Sequence, residues 1–93
     1  MNRETAEAVR ERSRGHCEGC GLGGTGLVLH HRQLRSGGGK DTMANLLVLH
    51  DACHRWAHGN PRAAMALGWI VSRYAVPLMV PVQLLRAGHS DAV

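Results

Sequence analysis

Cysteine and histidine set the limits on what this chain can fold into. Its 93 residues carry seven histidines and three cysteines, against no phenylalanine, two tryptophans and one tyrosine. Five of the histidines and one cysteine fall within residues 28–58. A chain this short, with so few large apolar side chains, buries a modest fraction of its surface and is marginal without a staple. A structural metal is one such staple. Three cysteines make an odd set, which argues against a disulfide scaffold. The N-terminus is polar and charged rather than signal-like, and no apolar run reaches the ~18 residues of a membrane span. A reducing cytoplasm follows, with the cysteines as thiolate ligands. The net charge of +4 with histidine neutral favours a polyanionic partner, nucleic acid or an anionic membrane face, over other partners. Charge alone is equally served by a solvated basic surface.

Residues 2 to about 13 read as a short helix, with Asn2 as N-cap, Glu4 in the first turn and Arg3 paired with Glu7. Arg10, Arg12 and Arg14 give it a basic end, and Gly15 stops it. Residues 16–26, HCEGCGLGGTG, are too glycine-rich for a helix. Their C-x-x-C followed by glycines has the pattern of a zinc knuckle, in which a tight turn brings backbone N–H groups to the thiolates. Residues 27–31 (LVLHH) and 46–50 (LLVLH) form two strands paired antiparallel across a loop at 32–44, with Gly37, Gly38 and Gly39 at its tip. A helix follows from about Asp51, in its first turn or as its cap, to Gly59, and carries Cys53, His54 and His58. Asn60-Pro61 opens another helix, Asn60 as N-cap, which runs to about Leu67 with Gly68 past its end. Trp69, Ile70 and Val71 read as a short strand. Pro77 and Pro81 then impose an extended path, and the last few residues fray. There is no internal repeat and no linker, so the chain is one domain, 1–93, with a core at 14–60 and a C-terminal helix and tail at 61–93.

Spacing divides the ligands into two sites. Adjacent residues on a helix diverge by about 100°, so Cys53 and His54 serve different ions. Cys17 and Cys20 take Cys53 as third ligand, and His50-x-x-Cys53 copies the spacing of Cys17-x-x-Cys20. Cys17, Cys20, His50 and Cys53 make a closed tetrahedral set for structural zinc; His16 is the rival for the fourth place. His54 and His58, four apart, lie on one helical face. A third nitrogen comes from His30 or His31. Three nitrogens leave positions open for water and substrate, so this second site is catalytic. Strand neighbours point opposite ways, so one of His30 and His31 is ligand and the other stands free as a general base working near pH 7. Geometry does not say which.

The HH pair, Asn45 opening the second strand, and His54 with His58 on the next helix resemble the ββα-metal finger of HNH endonucleases, in the His-Me finger superfamily. The flanking C-x-x-C and second ligand pair resemble the zinc-knuckle subgroup of phages and bacteria, and the His-x-x-x-His ending is similar to colicin nucleases. The resemblance covers about residues 14–60. It implies an α+β fold: a two-stranded antiparallel finger with its helix, stapled by structural Zn2+, with short terminal helices and an extended tail. It also implies the roles. His30, His54 and His58 hold one catalytic divalent ion (Mg2+, Mn2+, Ni2+ or Zn2+), His31 activates water, and Asn45 braces the loop. The reaction is hydrolysis of DNA phosphodiester bonds, by nicking or cleavage, leaving 5′ phosphate and 3′ hydroxyl. Arg32, Arg35, Lys40 and Arg55 flank the site and grip phosphates. The resemblance further implies phage origin and a link to DNA packaging beside a terminase; a monomer is expected. Two positions depart from the family: His50 stands where cysteine is commoner, and His30 where many members carry aspartate. An all-histidine site favours Zn2+ or Ni2+ over Mg2+, which prefers oxygen.

Two rival readings remain distinct. A zinc-stapled DNA-binding module without catalysis needs Cys17, Cys20 and Cys53 but has no use for His30, His31, His54 and His58 in register. A redox dithiol sits at the start of a helix, which the glycines after Cys20 forbid.

Overall fold

The computed structural model describes residues 2–85; the fraying expected at the last few residues falls on 86–93, outside them. Helix α1 (Arg3–Ser13) starts as the sequence predicts. The Asn2 side chain accepts from the amides of Glu4 and Thr5 at 2.7 and 3.3 Å, and Arg3 meets Glu7 at 3.3 Å. The helix ends one residue before the expected glycine, with Arg14 itself left-handed at φ 53° and its amide bonded to the Arg10 carbonyl.

Strands β1 (Leu27–His31) and β2 (Leu46–His50) pair antiparallel, with Leu27 opposite His50, His30 opposite Leu47 and His31 opposite Leu46. The two-residue side-chain period then sorts everything. Leu47 and Leu49 pack with Cys17, Ala57, Ala64 and Trp69 on one face. Leu46 and Val48 pack with Val9 of α1 on the other. Burying each of these leucines stabilises the fold by about 1.5–3 kcal/mol. His30 shares the first face and His31 the second, so one-residue spacing sends the two imidazoles to opposite sides of the ribbon.

Helix α2 (Asp51–Gly59) follows β2 without a linker, with His50 at its N-cap position. Asp51 lies in the first turn and pairs with Arg55 at 3.1 Å. Helix α3 (Pro61–Ala66) has Pro at its first position. Asn60 departs from its expected role: its side chain does not cap α3 but donates to the Trp56 carbonyl at 2.9 Å, closing the end of α2. Residues 69–71 are not a strand. Burial decides against one: Trp69 fills the core, 1% exposed, edge-on to Trp56 and donating from its indole to the Gln83 carbonyl. The amides of Trp69 and Ile70 turn back to Ala64, and Val71 alone reaches the carbonyl of Arg32. Two glycines allow this packing. A Cβ on Gly19 would lie 2.6 Å from the Trp69 ring, and one on Gly68, at φ +78°, would lie 2.0 Å from the Pro81 carbonyl oxygen.

Arg32 corrects an expectation. It is 3% exposed and donates to the carbonyls of Gly68 (2.7 Å), Ala44 (2.7 Å), Pro77 (3.0 Å) and Val80 (2.5 Å). Those oxygens lie on separate stretches of chain and turn inward, so the guanidinium is an internal clamp with no face left for a phosphate. Its planar fork of donors suits this role as lysine's point charge would not. Arg12 does similar work: its guanidinium meets the Glu18 carboxylate at 2.6 and 2.8 Å and the carbonyls of Met43 and Leu46. Arg32→Ala leaves buried carbonyls unpaired and is expected to cost about 3 kcal/mol or more. Chemical denaturation measures this; a cost near zero would show the clamp to be incidental.

Candidate metal centres

The first cluster joins the knuckle to the β2–α2 junction. Ligand atoms of Cys17, Cys20, His50 and Cys53 all lie within 4.8 Å of one another. Zinc–sulfur bonds of about 2.3 Å give a tetrahedron with edges of about 3.8 Å, so small adjustments seat an ion. His50 Nδ1 lies 3.4 Å from Cys20 Sγ, while its Nε2–H donates to the Gly23 carbonyl at 3.2 Å. That bond fixes the tautomer and leaves Nδ1 for the metal. The amides of Gly19, Cys20 and His50 each approach Cys17 Sγ at 3.4 Å. Burial raises the Cys17 pKa, but those amides outweigh it and the net shift is downward. Cys53 is pushed up to about 12, first by burial and then by Cys17 and Cys20 beside it. Crowded thiols that resist joint ionisation are what a central divalent cation relieves, so the donor set fits zinc. The three cysteines are free of disulfides. His16 is not part of the group; its Nδ1–H donates to the Arg14 carbonyl at 2.9 Å.

The second cluster is His30, His54 and His58, with nitrogens again within 4.8 Å. His54 and His58 share one face of α2, and His30 faces them from β1. His30 Nε2–H donates to the Trp69 carbonyl at 2.6 Å, which turns Nδ1 toward His54 Nδ1, 3.0 Å away. Metal–nitrogen bonds of 2.0–2.1 Å place cis nitrogens about 3 Å apart, so this separation suits a shared ion. The His30 pKa is lowered to about 4, chiefly by burial and further by His54, His58 and His31, while the Trp69 bond opposes the shift. His54 is lowered by burial and by His58. Neutral imidazoles are what a metal requires. His30 is buried, His54 half-buried and His58 exposed, so the cluster opens to solvent on the His58 side.

His31, on the opposite ribbon face, bonds through Nε2 to Asp41 Oδ1 at 2.6 Å. A carboxylate accepts, so Nε2 carries the proton and Nδ1 is the bare nitrogen. The His31 bond is the main cause holding the Asp41 carboxyl below its usual range, with Arg35, 3.8 Å away, adding to it. Sequence reasoning missed Asp41, although it is the sole acidic residue between the histidine pair and Asp51. Asn45, 1% exposed, accepts the Gln33 amide at 2.7 Å and donates to the carbonyls of Gln33 and Lys40, both at 3.0 Å. It ties both ends of the glycine loop that carries Asp41 round to His31. Arg35, Lys40 and Arg55 are exposed; Arg32, as above, is not.

Residues 17–59 match the HNH family model, described as HNH endonuclease. The comparison with curated proteins found no match. Among the described residues, no helix is long and apolar enough to cross a membrane.

Two outcomes follow from the clusters. Cys17→Ser, or a strong chelator, is expected to leave much of the chain unfolded by circular dichroism, because in so small a core the binding energy of a structural ion is a large share of the folding energy; a fully folded variant would show the zinc cluster to be dispensable. Acid should also destabilise the fold. His30 titrates near 6.5 when unfolded and about 4 when folded, so the unfolded chain takes up a proton that the folded site refuses. Stability therefore falls as pH drops from 6.5 toward 4, and melting temperatures across that range read it.

Proposed function

We propose, from the membership of residues 17–59 in the HNH endonuclease family, that this chain is a metal-dependent nuclease hydrolysing phosphodiester bonds in DNA. The observation that carries the reading is the pairing of an open three-histidine cluster with a fourth imidazole, His31, hydrogen-bonded to a carboxylate. His30, His54 and His58 would hold a divalent ion, which would supply Lewis-acid stabilisation of the charge that builds on the phosphate and the leaving 3′ oxygen. His31 Nδ1 takes a proton from the water that attacks phosphorus. Asp41 keeps the imidazole in the tautomer with Nδ1 bare and offsets the positive charge the ring gains, as a carboxylate does for a catalytic histidine elsewhere. Asn45 acts through the backbone, fixing the loop that presents Asp41. Arg35, Lys40 and Arg55 meet phosphates flanking the cut, which gives affinity and salt dependence without sequence readout. The imidazole ligands favour Zn2+ or Ni2+ for the working ion. The same resemblance supports phage origin and action beside a terminase during DNA packaging, and the proposal takes the enzyme as a monomer.

Plasmid nicking with a panel of divalent ions tests the reading. His31→Ala should lose activity by roughly 10²–10⁴-fold, the usual worth of a general base, with fold and metal content unchanged. Asp41→Ala should lose less, about tenfold, with Asp41→Asn recovering part by keeping an acceptor oxygen on Nε2–H. About two ions per chain are expected by elemental analysis. One ion per chain, with no cleavage by any metal, would instead identify a zinc-stapled binding module.

A further inference from the structure

Beside the His31–Asp41 pair lies a surface that the metal clusters do not use. Residues 72–78 fold back against the glycine loop, held by the Gln33 side-chain amide, which donates to the carbonyls of Ser72 and Ala75, both at 2.9 Å. Gly37 packs against Arg73, whose Cβ lies 3.4 Å from where a Cβ on that glycine would stand. Between the two segments runs a cleft of about 630 Å3, lined by the polar side chains of Lys40, Thr42 and Arg73 and by Val76 and Leu78. Lys40 and Thr42 flank Asp41 in sequence, so one wall of the cleft belongs to the loop that carries the partner of His31.

Tyr74 lies in sequence between Arg73 and Ala75, which both line the cleft, and is 90% exposed. Its backbone is fixed: the Tyr74 amide donates to Ser72 Oγ at 3.2 Å, and the Ala75 amide to the Ser72 carbonyl at 3.0 Å. The Arg73 guanidinium lies 5.7 Å from the ring centroid. A solvent-facing aromatic ring with a cation over one face, on the segment that walls a cleft also lined by Lys40 and apolar side chains, matches how single-stranded nucleic acid is held. Bases stack on the ring while cations follow the phosphates. Duplex bases are already stacked on one another and have no free face to offer.

We propose that this cleft binds an unpaired DNA strand adjoining the bond to be cut, with one base stacked on Tyr74 and flanking phosphates met by Lys40 and Arg73. The proposal rests on the nuclease reading for the continuity of strand from site to cleft. It makes the substrate a nick border, a frayed end or a single strand rather than an intact duplex.

Fluorescence anisotropy on the zinc-loaded full chain tests it, with a labelled thymidine 12-mer and a blunt duplex as probes. Tyr74→Ala should weaken single-strand binding about tenfold, since one base stack is worth ~1–3 kcal/mol, and should shift duplex binding less than twofold. Tyr74→Phe should bind like wild type. Lys40→Ala and Arg73→Ala should each reduce the slope of log K against log salt by about 0.7 on the single strand. Wild-type affinity in Tyr74→Ala would overturn the proposal, as would an equal loss on both probes. The two readings fail separately. A chain that cuts no plasmid yet binds single strands through Tyr74 keeps the cleft and loses the nuclease. One that cuts normally but whose Tyr74→Ala variant is unaltered in binding keeps the nuclease and loses the cleft.

Discussion

Cys53 and His54 are neighbours on one helix, and neighbours on a helix cannot face the same ion. That angular offset is the constraint on which the arrangement depends. It commits α2 to two clusters at once: Cys53 turns to the knuckle with His50 one turn before it, and His54 turns to β1 with His58 one turn after it. The ribbon answers with a two-residue period. His30 sits opposite Leu47 on the face that packs against α2, and His31 sits opposite Leu46 on the other. One periodicity separates the two clusters, and the other separates His30 from His31, the proposed base.

So small a core needs help, and it comes from polar groups as much as from apolar ones. With no phenylalanine, Trp69 and four consecutive buried residues of β2 carry most of the packing. Around them Arg12 joins α1 to the knuckle and to β2 through Glu18, whose carboxylate also accepts the Val48 amide. Asn45 and Arg32 do the same for the loop and the C-terminal segment. The buried polar side chains among the described residues all find partners, so the fold has satisfied its interior in place of enlarging it.

Legibility in the sequence followed distance along the chain. Both strands, α2 and the two ligand sets could be read because strand and helix periods are local, and C-x-x-C, H-x-x-C and H-x-x-x-H are local spacings. Asn2 as a cap was legible for the same reason. Arg32 was not: its partners lie 12 to 48 residues away, and an arginine beside a histidine pair looks the same whether it faces phosphate or carbonyls. Asp41 was hidden by the loop, whose path round to His31 is set by bonds such as those of Asn45 to Gln33 and Lys40. Trp69, Ile70 and Val71 have the composition of a strand, but filling the core with Trp69 outweighed extending the ribbon. Asn60 satisfied the helix it follows rather than the one it precedes, a choice between two adjacent termini that composition does not reveal.

The buried guanidinium of Arg32 also separates two boundaries that are easily taken as one. Similarity to the HNH family ends at residue 59, yet three of the four carbonyls on Arg32 belong to Gly68, Pro77 and Val80, and Trp69 completes the core from the same stretch. A fragment cut at the edge of the similarity would hold a desolvated cation with most of its acceptors missing and a vacancy where the indole belongs. The stretch that matches the family and the unit that packs together therefore do not coincide in this chain. The slowest-exchanging amides, those that open only when the whole molecule does, should run past residue 59 to Val71, whose N–H is bonded to the Arg32 carbonyl.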